Sequence, residues 1–91
     1  MNKEKTEKSF TKLLNIVSQL RGPDGCPWDK EQTHKSLLPY FLEEAYEVIE
    51  GVEAGDMNSL KEELGDVLLH VVFQADIAHK NSEFTIEDSL N

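Results

Sequence analysis

Two short stretches of this 91-residue chain each carry carboxylates spaced one helical turn apart, and that spacing restricts the fold more than any other feature. They are Leu42-Glu43-Glu44-Ala45-Tyr46-Glu47-Val48-Ile49-Glu50 and Leu60-Lys61-Glu62-Glu63-Leu64-Gly65-Asp66-Val67. Apolar residues recur in both at three- and four-residue steps, the period of an amphipathic helix, so each acid pair shares one side of its helix. Gly55, between them, has the place of a helix C′ residue, and Asp56 or Asn58 can cap the helix that follows. Glu47 and Glu63 each lie 8 residues from Gly55, and Glu44 and Asp66 each lie 11. An antiparallel helical hairpin turning at Gly55 therefore sets Glu47 level with Glu63 and Glu44 level with Asp66.

Four converging carboxylates repel one another, and burying them unpaired costs far more than exposing them. A hard divalent cation removes that penalty. A ligand set of oxygens without Cys or His selects Mg²⁺, with Mn²⁺ able to take its place, over zinc or copper. A di-iron carboxylate bundle is excluded, because it needs Glu-x-x-His pairs and neither stretch has one.

The flanking sequence predicts an all-α chain, an antiparallel hairpin or bundle of about four helices. Phe10, Leu13, Leu14, Val17 and Leu20 predict a first helix over about 9–20, after a charged start at 1–8 that frays. Two Gly and two Pro within 22–27 predict a shaped, non-helical loop over 21–29. Trp28 in that loop either plugs the end of the helical core or stacks on a flat ligand such as a nucleobase. Thr33 or Ser36 can cap the second helix, with Pro39 tolerated in its first turn.

The third helix, about 59–79, is apolar on two faces and so is buried on two sides. Acids on such a helix want a partner, which separates Glu63 and Asp66 from an ordinary solvated stripe. Gly65 inside it implies a close approach by a neighbouring helix or ligand. His70, one turn after Asp66, reads as a hydrogen-bonded core or interface residue, since the expected cation prefers oxygen. Asp76 and His79 read as surface near the helix end. Thr85 followed by Asp88 opens a fourth helix that Asn91 leaves unfinished, as in a trimmed domain or one domain of a longer protein.

A chain of this length forms one small domain with a marginal core, so association through the apolar faces of the second and third helices, as a homodimer or homotetramer, is expected. The net charge of −9 argues against a nucleic-acid polymer as partner, though not against a free nucleotide carried with Mg²⁺. One cysteine, Cys26, cannot form an internal disulfide, and no N-terminal apolar run suggests a leader or a membrane span. A reducing cytoplasm is the expected location.

Three motifs in order, Gly25-Cys26-Pro27-Trp28-Asp29-x-x-Gln32-Thr33, Glu43-Glu44-x-x-Glu47 and Glu63-x-x-Asp66, resemble those of the MazG family of all-α nucleoside triphosphate pyrophosphohydrolases. The resemblance covers roughly 20–78. It implies Mg²⁺-dependent hydrolysis of a nucleoside triphosphate to the monophosphate and pyrophosphate, by water attack at the α-phosphorus. By the same resemblance Glu44, Glu47, Glu63 and Asp66 match the metal ligands, and Glu43 matches a position that orients water. Either Glu43 or Glu47 can then serve as the base. Trp28 falls in the loop that helps form the nucleotide pocket, with Lys30 and Gln32 as further contacts. The rival reading is a helical dimerisation or regulatory module of a larger protein with little activity.

Overall fold

The Asn2 side chain accepts a hydrogen bond from the Lys5 amide at 3.0 Å and so starts the first helix, α1, at Lys3. Capping explains why the charged start is helical instead of frayed: an orphan amide is satisfied, and Glu4 sits in the first turn, where the helix dipole favours an acid. The computed structural model describes all residues from Met1 to Asn91 as five helices without a strand. They are α1 (Lys3–Leu20), α2 (Pro27–Glu31), α3 (Leu38–Ala54), α4 (Met57–Lys80) and α5 (Ile86–Leu90).

The all-α hairpin expected from the acid spacing is present. Gly55 ends α3 in the left-handed conformation at φ 68°, and its amide and that of Asp56 close onto the Val52 and Gly51 carbonyls. Asp56 then caps α4 by accepting from the Ser59 amide at 3.1 Å, so α4 begins two residues earlier than periodicity suggested. Gly51 is a position where the two helices approach closely. A Cβ built there would meet the Leu60 backbone nitrogen at 3.4 Å, whereas one at Gly65 meets nothing within 4 Å. The close approach expected at Gly65 therefore occurs at Gly51, beside the bend, while Gly65 is exposed.

Two further expectations are corrected. The loop was expected to be free of helix, yet Pro27 opens the one-turn α2, since proline at the first helical position lacks only an amide that needs no partner. Thr33 and Ser36 do not cap α3. They bond each other in the preceding turn, the Thr33 amide to Ser36 Oγ at 2.8 Å and the Ser36 amide to Thr33 Oγ1 at 3.1 Å, and Leu37 leads into α3 without a side-chain cap. The helix start at Thr85 holds, with a reciprocal bond between Thr85 and Asp88.

The core is small. Val17, Leu37, Val72, Phe73 and Ile77 form its buried centre, covered by Phe10, Leu13, Leu14 and Leu69, so α1 lies along one side of α4. On the other side α4 packs against α3. The outer face of that pair stays bare, with Leu42, Tyr46, Ile49, Val52, Leu64 and Leu68 each 42–58% exposed. A radius of gyration of 14.3 Å, against about 12 Å for a compact domain of this length, fits a fold with one helical layer uncovered.

Candidate metal centre

The hairpin brings three of the four expected acids together. Glu44 comes from the middle of α3, and Glu63 and Asp66 come from successive turns of α4. One carboxylate oxygen from each lies within 4.8 Å of the other two. Oxygens around one octahedral Mg²⁺ at about 2.1 Å can be at most about 4.2 Å apart, so small rotamer shifts would close the trio on a single ion.

Two further observations fit a cation at this place. Glu44 Oε2 and Glu63 Oε2 are both shut off from solvent with no hydrogen-bond partner in the protein. Buried carboxylate oxygens without partners are costly, and a hard cation is the partner their chemistry accepts. The titration of the acids points the same way. Glu63 is pushed up to about 8, chiefly by the neighbouring Glu47 carboxyl, which favours its neutral form, then by burial and by Glu44. Glu44 is also raised, mainly by burial, with the charges of Glu47 and Asp66 adding to it and contact with Glu63 opposing it. Ionised carboxylates are acceptors only, so either a proton or a metal must sit among them.

Glu47 stands beside Glu63 but outside the tight trio, which makes the expected quartet three plus one. Glu43 is exposed, since its neighbour position on the helix turns it about 100° from Glu44.

Beside the trio is a pocket of about 230 Å³, and Glu44 is part of its wall. Trp28 and Tyr40 flank it with ring centroids 6.0 Å apart and planes at 76°, while Leu69, His70 and Phe73 close the α4 side. Trp28 is 51% exposed, so it does not plug the core. Lys30 and Gln32 line a separate cleft with Arg21 and His34. Their polar ends are engaged locally: Lys30 Nζ donates to the Pro23 carbonyl at 3.0 Å, and Gln32 Nε2 to the Trp28 carbonyl at 2.9 Å.

What holds Trp28 at the pocket is a residue that periodicity did not single out. Arg21 donates to Asp76 and also to the carbonyls of Asp29, Lys30 and Gln32, fastening α2 to α4. Asp76 is therefore a buried ion-pair partner and not the surface residue it was expected to be. Tyr40 and His70 were likewise missed as pocket residues. A signal existed, because Tyr40 precedes Glu44 by one turn and His70 follows Asp66 by one turn, each on its ligand's side of the helix.

With this geometry in view, the sequence comparisons decide the family. Residues 32–91 match the MazG nucleotide pyrophosphohydrolase domain, which is well over half of the chain. The chain belongs to the MazG family. A Thermotoga maritima protein named nucleoside triphosphate pyrophosphohydrolase/pyrophosphatase MazG is 54% identical over 81 residues, covering 89% of this chain and 32% of that protein. The nucleoside triphosphate pyrophosphohydrolase of Escherichia coli K12 is 47% identical over 78 residues, and that of Mycobacterium tuberculosis is 53% identical over 64. This MazG domain thus spans about a third or less of the relatives it matches, 32%, 30% and 20% of their lengths. No helix in it is long and apolar enough to cross a membrane.

Proposed function

We propose that this MazG domain hydrolyses a nucleoside triphosphate to the nucleoside monophosphate and pyrophosphate, with Mg²⁺ held by Glu44, Glu63 and Asp66. The observation that carries the reading is the convergence of these three acids with two buried, unpartnered oxygens among them. A bound cation would neutralise charge on the phosphate oxygens and ease deprotonation of the attacking water. The relatives' names, which specify nucleoside triphosphates, support the choice of substrate.

The chain's own residues supply the rest. Water oxygen bonds to the α-phosphorus, the α–β bridging P–O bond breaks, and the bridging oxygen leaves with pyrophosphate. Glu47 takes the water's proton, because it is half-buried next to Glu63 without belonging to the trio, and so has a carboxylate oxygen to spare. Exposed Glu43 is the weaker candidate for that base. Trp28 and Tyr40 wall the space where a base attached to a phosphate at Glu44 would lie.

The bare outer face of α3 and α4 supports a homodimer in which two hairpins bury Leu42, Tyr46, Ile49 and Leu64 against each other. Pyrophosphate release by the purified protein, titrated with Mg²⁺ and offered ribo- and deoxyribonucleoside triphosphates, tests the activity. Release that depends on Mg²⁺ is the expected result; a stable dimer that releases none would instead be a regulatory module.

A further inference from the structure

His70 lines the Trp28 pocket together with Glu44, the one acid of the trio that reaches it. Its Nδ1 is buried with no hydrogen-bond partner in the protein, so the imidazole has hydrogen-bonding capacity left unused. Phe41 packs against the imidazole edge-on, with centroids 6.1 Å apart and planes at 88°, which holds the ring in one orientation. Burial of a polar group without a partner is unfavourable, and such groups persist where a ligand supplies the missing bond.

We propose that His70 is a specificity-determining residue whose imidazole hydrogen-bonds the polar edge of the nucleobase. The inference rests on the nucleotide reading of the preceding subsection and goes beyond it in naming the group that discriminates between bases. At about 230 Å³ the pocket is smaller than the ~300–1,000 Å³ sites that enclose whole drug-sized ligands, so it takes one flat ring system and leaves sugar and phosphates outside. Glu44 belongs both to the pocket wall and to the trio, which puts the phosphate end of the same ligand on the acids. Leu69, Phe73, Trp28 and Tyr40 offer apolar and aromatic surface that any base satisfies by stacking. Sequence-tolerant stacking does not discriminate; a hydrogen bond in a dehydrated pocket does, because the wrong base leaves a buried polar group unpaired.

Trp28 is the one tryptophan of the chain, so its fluorescence reports this pocket directly. Titration of the wild type with the four deoxynucleoside monophosphates in Mg²⁺, alongside KM for the four triphosphates, is compared with His70→Phe and His70→Gln. The expected result is unequal affinity among bases for the wild type and a fall of about tenfold in the best base's advantage for His70→Phe, the scale of one net hydrogen bond. His70→Gln keeps a polar group and restores part of the discrimination.

An unchanged base ranking in His70→Phe overturns the inference, as does a wild type that binds all bases alike or shows no Trp28 response. An equal loss of kcat for every base, with KM ratios intact, overturns it too, since His70 would then serve the acids. Base-selective Trp28 quenching that His70→Phe flattens, in a protein that releases no pyrophosphate, sustains the inference and sinks the hydrolase reading alone.

Discussion

The Arg21 guanidinium and the Asp76 carboxylate meet at 3.0 Å with both side chains about nine-tenths sealed from water. Lys80 reaches the same Asp76 oxygen at 3.0 Å from one turn along α4. Fifty-five residues separate Arg21 from Asp76, and the Arg21 contacts tie the end of α1 and the end of α2 to the last turns of α4.

Removing one side of such a pair strands the other. Asp76→Ala is expected to destabilise the protein by about 3–5 kcal/mol, because Arg21 is left charged and nearly buried. The joint change Arg21→Met with Asp76→Leu should cost far less than the single change. Urea denaturation of the three variants measures this, and equal losses for single and double variants would contradict it.

The acid trio makes stability depend on pH in an uncommon direction. Glu63 keeps its proton to about pH 8 in the folded chain and loses it near 4.5 when unfolded. Between these values the native state binds more protons than the unfolded state, so stability falls as pH rises. Glu44 shifts the same way. Without divalent cations, Tm should therefore be lower at pH 8 than at pH 5.5. Mg²⁺ replaces the protons, so its stabilisation should grow over the same interval. Thermal melts in chelator and in Mg²⁺ check both statements.

Neutralising a ligand should separate metal binding from folding. Glu63→Gln is expected to raise the metal-free Tm at pH 8, since a repelling charge is gone, while weakening Mg²⁺ by more than the ~10–100-fold typical of groups that merely support a ligand. Isothermal titration together with melts shows whether the two effects move in opposite directions.

Glu47 outside the trio predicts a different phenotype. Glu47→Gln should lower kcat by about 10²–10⁴-fold, the usual contribution of a general base, while Mg²⁺ still raises Tm. Loss of the Mg²⁺ effect in that variant would make Glu47 a ligand and not a base.

Leu42 and Ile49 lie two turns apart on the bare side of α3, 57% and 49% exposed. Charges there cost little in a monomer and much in an interface. Leu42→Glu with Ile49→Glu is expected to convert a dimer to monomer in sedimentation velocity and to remove the dependence of Tm on protein concentration.

Helices, bend and acid register were legible in the sequence because each depends on local spacing. A 3.6-residue period fixes which residues share a side, a glycine after a periodic run marks the turn, and equal counts on either side of Gly55 bring acids of both helices to one place. The same logic locates Tyr40 and His70 one turn from the ligands, although periodicity does not say what they face.

Tertiary structure alone decided which partners meet across long separations. Asp76 has the local pattern of a surface acid, and only the return of Arg21 beside it makes it a buried ion pair. Gly51 and Gly65 are both helix-interior glycines in sequence, yet helix crossing near the bend brings Leu60 to the first and leaves the second open. The separation of Glu47 from the trio, and the lack of a hydrogen-bond partner for His70 Nδ1, arise from side-chain directions between two packed helices. Spacing along one chain sets the side of a helix a residue occupies; the crossing of helices sets what waits on that side.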